Sequence, residues 1–291
     1  MPTRPDADPA IKYQTDIDLT RRNSSHTLLH ELAVSSGTPG LSILEVGCSS
    51  GYLGASLEAK GHRVTGIEPD PVAVEAAAGV LHSVWRGGLE DFLDTHPDAR
   101  FDVVLLGDVL EHMVDPVATL RRALGHLAPG GSVAISLPNV AHGAVRAMLL
   151  EGRFDYADRG LLDRTHLHFS TRRGIARFLA ETGLAVERLY EVVLPIGSVD
   201  TDYAMCLSRE HITAVELLDD EDSRHAFQYV LLARPSPLPF DALLAANEAV
   251  QAEAVEPKPR PRGARSPGLR LQVRLFRWLL RRISARRFRA T

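Results

Sequence analysis

"EVGCSSGYLG", residues 45 to 54, continues the apolar run "LSILEVG" (41–47) and leads into "YLGASLEAKG" (52–61), a helical pattern closed by Gly61. A buried strand, a glycine turn and a helix start, in that order, aim backbone N–H groups at whatever the turn cradles. A dinucleotide-binding turn spaces its glycines as G-x-G-x-x-G. Here the glycines are Gly47, Gly51 and Gly54, with Ser49 where the middle glycine belongs, so the loop argues against a pyrophosphate.

Outward from this turn, strand and helix signals alternate. The second strand, "HRVTGIE" (62–68), ends at Glu68 and is followed by Pro69; a carboxylate at that strand end suits the two hydroxyls of a ribose. Asp70 precedes Pro71, a cap followed by proline at the first helical position, and opens the helix "VAVEAAAGV" (72–80). A weaker strand, "HSVWRG", precedes a strong one, "FDVVLLG" (101–107). Asp115 and Pro116 repeat the cap for a helix that stops at the prolyl-diglycyl turn 129–131, before the strand "SVAISLP" (132–138). The helix "TRRGIARFLAETG" (171–183) and the strands "LAVERLYEVVL" (184–194) and "AFQYVLLAR" (226–234) complete the pattern. The expected fold is α/β, a doubly wound, seven-stranded, mostly parallel, Rossmann-like sheet with a final antiparallel pair.

Two segments break the rhythm. Residues 139–170 far exceed the roughly 2 to 6 residues usual between a strand and its helix, and are rich in Leu, Phe and His, which reads as an insertion lid. Residues 198–225 form a second insertion on the acceptor side, with the helix "SREHITAVELLDD". The expected layout is a flexible arm over 1–22 and a domain over 23–234. A proline-rich linker follows over 235–268, with a short exposed helix in 241–254, and then a basic amphipathic helix over 269–291.

Composition bounds the function classes. The chain of 291 residues is 45% hydrophobic and 24% charged, with no apolar run near the ~18 residues that span a bilayer. Nothing after Met1 reads as a secretion signal, and two cysteines, Cys48 and Cys206, are too few for a disulfide framework, so a cytoplasmic protein is expected. Residues 257–291 hold 12 of the 33 basic residues and none of the 37 acidic ones. There Arg270, Arg274, Arg277 and Arg281 share one helical stripe, and Leu269, Val273, Phe276, Leu280 and Ile283 another. That pattern suits a helix lying on an anionic membrane surface, peripheral on its inner face, through residues 269–289. The acidic body offers no basic groove, and no nucleic acid is expected as partner.

"ILEVGCSSGYLG", "VTGIEPDP", "FDVVLLGDVLEHMVDP" and "APGGSVAISLPN", in this order, resemble the motifs of class I S-adenosylmethionine-dependent methyltransferases, in the branch related to ubiquinone-biosynthesis methyltransferases, over about residues 12–234. "SLPNVAH" and "GRFDYADRGLLDRTHLHFST" are similar to a bacterial subgroup whose genes often lie among glycosyltransferases of surface-glycan pathways. The resemblance implies S-adenosylmethionine as cofactor and O-methylation of a sugar hydroxyl on a glycan or glycolipid. A small secondary-metabolite or quinone-like acceptor is the alternative within enzymes, and a non-catalytic cofactor-binding scaffold the alternative outside them. It further implies that Glu45, Gly47, Cys48, Ser49 and Gly51 surround the methionine part, that Glu68 with Pro69 meets the ribose, and that Leu89 and Glu90 lie near the adenine. Asp108 and Val109 would close the pocket, with His112 as a wall. Gly88 stands where many relatives place an acid, which leaves the usual contact to the adenine amine open.

Methyl transfer from a sulfonium is an in-line displacement, so the acceptor atom must be aligned with the methyl group. An oxygen acceptor must also lose a proton, a task that suits histidine. The candidates past the fifth strand are Asn139, His142, Asp163, Arg164, His166 and His168. In an extended segment His166 and His168 would share a face, opposite Leu167 and Phe169. Asp163 could orient one imidazole, or pair with Arg164 to pin the insertion. His166 is preferred to His142 as base, with Asn139, Arg164 and His168 as acceptor contacts. Asp108, Glu111 and His112 can be drawn as a metal set, but that spacing is common at a helix start, and no metal is expected.

Overall fold

The computed structural model describes residues 17–218 and 222–257. Most of the expected N-terminal arm and the basic helix expected over 269–291 lie outside the described residues. No described helix is long and apolar enough to cross a membrane.

Strands β1 (Ser42–Val46), β2 (Arg63–Glu68), β3 (Ser83–Arg86), β4 (Phe101–Gly107), β5 (Leu127–Pro138), β6 (Leu184–Val193), β7 (Ala226–Pro235) and β8 (Glu253–Ala254) form one sheet, ordered β3-β2-β1-β4-β5-β7-β6-β8. The pairs within β3-β2-β1-β4-β5 are parallel, and β7 runs antiparallel to β5. The fold is therefore α/β and the sheet mostly parallel as expected, with eight strands among the described residues rather than seven. The extra strand, β8, is two residues long and pairs Tyr190 with Glu253 and Glu191 with Ala254. A strand that short carries no periodicity to read.

The helices are α1 (Ser25–Ala33), α2 (Tyr52–Glu58), α3 (Pro71–Ala78), α4 (Leu89–Thr95), α5 (Pro116–Leu124), α6 (Gly143–Leu150), α7 (Arg172–Thr182), α8 (Ile196–Asp202), α9 (Arg209–Leu218) and α10 (Phe240–Ala249). The central strands are buried on both faces, which is why β1 and β4 read as continuous apolar runs. Leu28, Leu29 and Leu32 of α1 join Ile43 of β1 and Leu105 of β4 in one core cluster. Each such leucine, fully buried, contributes roughly 1.5–3 kcal/mol. A Cβ on Gly107 would lie 2.9 Å from Leu29 Cδ1, so glycine at the end of β4 permits this close approach of α1.

Local signals set most boundaries. The Asp70 carboxylate caps α3 by accepting the Val72 and Ala73 amides, and Asp115 caps α5 by accepting that of Ala118. Helix α5 ends at Leu124, ahead of the prolyl-diglycyl turn expected to stop it, because β5 already begins at Leu127. Leu127 pairs with Phe101 and Ser132 with Val103, so the register shift absorbs residues 128–131. The helix expected to stand exposed in 241–254 is docked instead. In α10, Leu243 is buried, and the Asn247 side chain accepts from the Val186 amide and donates to the Leu184 carbonyl.

The chain divides into two compact units. The first holds most of the sheet and comprises 17–139, 165–192 and 228–256 of the described residues; the second takes in 140–164, 193–218 and 222–227. The segment read as one lid, 139–170, is thus split between them. In the second unit α6 packs on α8, where Ile196 comes within 2.4 Å of a Cβ built on Gly143. A cavity of about 300 Å3 lies within this unit, lined by Met148, Arg153, Tyr156, Leu162, Tyr203 and Met205 among others.

Candidate functional site

Val46 of β1 lies opposite Leu106 of β4, so the loops leaving these parallel strands emerge side by side where the strand order reverses. Ligands of open α/β sheets bind at such a point. A Cβ on Gly47, where φ is +71°, would sit 2.7 Å from Val109 Cγ2; only glycine lets the two loops meet this closely. Ser49 also has a positive φ, 49°. Its amide donates to Glu68 Oε2 at 2.9 Å, while Glu68 Oε1 accepts the Asp70 amide at 2.9 Å. Glu68 therefore ties the β1 loop to the start of α3, and each of its oxygens keeps a second lone pair for a hydroxyl donor. Pro69, beside it, is exposed.

Three buried acceptors in this region have an oxygen without a hydrogen-bond partner: Glu45 Oε2, Ser49 Oγ and Asp108 Oδ1. Burial pushes the Glu45 carboxyl up to about 8; the Gly54 amide pulls it back, and the charge of Glu68 raises it again. Asp108, at φ +54°, accepts a hydrogen bond from Gln228 Nε2 on its other oxygen at 2.9 Å. Cys48 is an apolar filler: its Sγ is 2.6 Å from a Cβ built on Gly66, and burial, with Glu45 and Glu68 adding, pushes the thiol up and away from the reactive thiolate. Leu89 is buried at the start of α4. The Glu90 carboxylate accepts the Thr119 hydroxyl at 2.6 Å and ties α4 to α5.

Three residues join this region without having been singled out in the sequence. Tyr52 Oη lies 3.2 Å from His26 Nε2, the two rings meet edge-on at 5.2 Å, and Gln228 holds Asp108. Burial first, then the charges of Glu45 and Asp108, raise the Tyr52 hydroxyl; burial pulls His26 down against the charge of Asp108. Tyr52 directly follows Gly51 in the glycine turn, a signal that was there to read. His26 and Gln228 come from distant parts of the chain and gave none.

Beyond Asp108 the chain makes a 3-10 turn, Leu110–His112, and residues 165–168 lie against it. The Leu167 and His168 amides donate to the Glu111 carbonyl at 2.8 and 3.1 Å. His112 Nδ1 donates to the Thr165 carbonyl at 3.1 Å, and His168 Nε2 to the Val114 carbonyl at 3.3 Å. This places His166 Nε2 4.0 Å from Glu111 Oε1, with the His166 and His112 rings edge-on at 4.8 Å. One nitrogen or carboxylate oxygen from each of Glu111, His112 and His166 falls within 4.8 Å of the others.

Several expectations for this segment are corrected. Residues 165–169 are not extended, so His166 and His168 do not share a face: the His166 side chain is 6% exposed, whereas His168 is exposed. His142 is fully buried in the second unit. Its Nδ1 accepts the Ala144 amide as the N-cap of α6, and its Nε2–H donates to the Leu194 carbonyl at 3.0 Å. Burial drives its pKa down to about 4, against the opposing pull of the Leu194 carbonyl, and with both nitrogens engaged it is not a base. Asp163 is also buried in the second unit, where its amide donates to the Gly160 carbonyl. Arg164 pairs with Asp158 at 2.8 Å on the surface, not with Asp163. Asn139 is fully buried at the end of β5 and bridges to Ser170, closing the base of the segment.

Residues 18–189 match the family model of a methyltransferase domain, and the chain belongs to that family. A ubiquinone biosynthesis O-methyltransferase of Xanthomonas euvesicatoria pv. vesicatoria is 33% identical over 158 residues, covering 51% of this chain and 64% of that protein. Another, from Aeromonas salmonicida, is 32% identical over 164 residues, covering 52% of this chain and 66% of that one. A third, from Sodalis glossinidius, is 34% identical but matched over 44% of its length and 36% of this chain. The chain thus spans between about two fifths and two thirds of these relatives. Among solved structures, magnesium protoporphyrin IX methyltransferase from Synechocystis PCC 6803, with bound SAH, superposes with a TM-score of 0.51 at 15% identity, covering 77% of this chain and 90% of that one. That likeness shows the fold.

The residues present fit S-adenosylmethionine. Unpartnered acceptors at Glu45 and Asp108 suit the ammonium of its methionine part, since an uncompensated buried carboxylate is costly. Glu68, at the end of β2, keeps acceptor capacity for a ribose diol.

Proposed function

We propose that this chain transfers a methyl group from S-adenosylmethionine to a hydroxyl oxygen. The observation that carries this reading is the cluster formed by Glu111 and His112, on the turn after β4, with His166 from the segment before α7, beside Glu45 of β1 and Asp108 after β4, each with one oxygen unpartnered. The bound sulfonium supplies an electrophilic methyl group. Glu45 and Asp108 hold the ammonium end, Glu68 holds the ribose, and Gly47 and Gly51 let the backbone close on the rest. As the O–CH3 bond forms and the S–CH3 bond breaks, the hydroxyl proton leaves at the Glu111–His112–His166 wall. In its simplest form His166 Nε2 takes that proton, and the Glu111 carboxylate at 4.0 Å stabilises the resulting imidazolium.

The acceptor we assign is a sugar hydroxyl on a glycan or glycolipid. Support comes from the resemblance of residues 136–142 and 152–171 to the glycan-associated subgroup. The basic stretch 257–291 suits an anionic membrane surface on which such an acceptor is presented. A phenolic hydroxyl is the second reading, favoured by the ubiquinone biosynthesis O-methyltransferases among the relatives.

Calorimetry with S-adenosylmethionine, followed by labelled-methyl transfer to a lipid-linked glycan extract and to a panel of catechols, tests both levels. Failure to bind the cofactor sinks the reading. Binding without transfer to any hydroxyl favours a scaffold. Transfer to catechols alone replaces the sugar with a phenol.

A further inference from the structure

We propose that Glu111, His112 and His166 form a binding site for a divalent cation of the zinc or manganese class, held by one carboxylate oxygen and two imidazole nitrogens. The geometry of the three side chains is the first ground. Their candidate ligand atoms lie within 4.8 Å of one another, and His166 Nε2 lies 4.0 Å from Glu111 Oε1. Two ligands of a tetrahedral zinc, each about 2.1 Å from the ion, stand roughly 3.4 Å apart, so an inward movement of about 1 Å closes the set.

The orientation of the ligands is the second ground. His112 Nδ1 lies 3.1 Å from both the carbonyl and the hydroxyl oxygen of Thr165; a proton on Nδ1 satisfies both as acceptors and leaves the lone pair on Nε2. An outer hydrogen bond that fixes the tautomer in this way accompanies metal-bound histidines generally. Glu111 is braced likewise, since its carbonyl receives both the Leu167 and His168 amides and so fastens the segment carrying His166 to the turn carrying the other two ligands.

Donor chemistry decides the class of ion. Magnesium and calcium prefer all-oxygen shells, whereas two imidazoles and a carboxylate suit zinc, manganese, cobalt or iron. Three protein ligands leave at least one position open, the arrangement of catalytic rather than structural sites. That position is where the acceptor hydroxyl binds. An ion held there would lower the hydroxyl pKa so that its proton passes to solvent as the oxygen attacks the methyl group, with His166 serving as a ligand; without the ion, His166 Nε2 takes the proton. This role rests on the methyl-transfer reading; the site itself does not.

The test uses the full chain without an affinity tag, stripped with chelator. Cobalt(II), read by its visible absorption, and zinc(II), read by competition calorimetry, should each bind at one ion per chain. Glu111→Gln and His166→Ala should each weaken binding at least tenfold, and His168→Ala should keep it. S-adenosylmethionine affinity and Tm report whether each variant is folded; if His166→Ala unfolds, Glu111→Gln decides. No stoichiometric ion on the wild-type chain, or binding indifferent to the ligand variants, overturns the site. Stripped protein that turns over at the full rate overturns the hydroxyl-activating role while leaving the site. Loss of cofactor binding by a chain that still takes up cobalt overturns the methyl-transfer reading instead.

Discussion

His142 and His166 come from one stretch between β5 and α7, both are buried, and they have opposite characters. His142 gives both ring nitrogens to the backbone, capping α6 and reaching the Leu194 carbonyl, and burial holds it neutral down to about pH 4. His166 lies instead against Glu111 and His112, whose own backbone and ring are steadied by residues 165, 167 and 168. What separates the capping histidine from the one proposed to react is what their nitrogens face, since burial is common to both.

The sharpest way to break this contrast is to truncate each ring. His166→Ala should lower turnover by about 10²–10⁴-fold, as loss of a base or metal ligand does, with S-adenosylmethionine affinity unchanged by calorimetry. Near-normal turnover would return the segment to a packing role. His142→Ala should instead cost roughly 2–4 kcal/mol of stability, seen as a lower Cm in urea, with turnover per folded molecule retained. A variant that kept full stability but lost activity would reverse the assignment of the two rings.

The fold was legible where a residue pattern has a local cause. Asp70–Pro71 and Asp115–Pro116 announce helix starts, and apolar runs announce strands buried on both faces. The missed parts depend on distant partners. Helix α1 is held by β1 and β4, the docking of α10, a helix read as exposed, rests on the Leu184 carbonyl and Val186 amide, and β8 is two residues long. The site divides in the same manner. The glycine turn and Glu68 are marked by strand ends, but His166 reaches Glu111 only because Thr165 and Leu167 bond to a turn more than fifty residues earlier. Reading residues 165–169 as extended put His166 beside His168 and so hid the pairing with Glu111.

A pH series sharpens the contrast, because Glu45 and His142 pull stability in opposite directions. Folded Glu45 keeps its proton to about pH 8, whereas an unfolded glutamate loses it near 4.5, so stability falls as pH rises through that window. Folded His142 stays neutral to about pH 4, whereas an unfolded histidine takes a proton near 6.5, so stability falls as pH drops from 6.5 towards 4. Between about 4.5 and 6.5 the two slopes, each at most roughly 1.4 kcal/mol per pH unit, oppose one another. Glu45→Gln should uncover the His142 slope there and remove the decline between 6.5 and 8. Urea melts of both proteins across this range check it; parallel curves would show that Glu45 titrates normally.

Two aspartates repeat the lesson on a smaller scale. Asp70 and Asp108 each follow a strand end, at β2 and β4. One oxygen of Asp70 accepts two α3 amides, while Asp108 has Oδ1 buried and unpartnered and Oδ2 on Gln228. Asp108→Asn keeps an oxygen for Gln228 but removes the charge, and should weaken S-adenosylmethionine binding by about tenfold or more, the worth of a hydrogen bond to a charged group. Asp70→Ala should leave that affinity within twofold and cost about 1 kcal/mol of stability, the ordinary worth of a helix cap. Its amide, which donates to Glu68, survives the change, so the Glu68 carboxylate stays in place. If Asp70→Ala weakened cofactor binding as strongly as Asp108→Asn, the cap at α3 would belong to the binding site, and the division between residues that build and residues that bind would fail at β2.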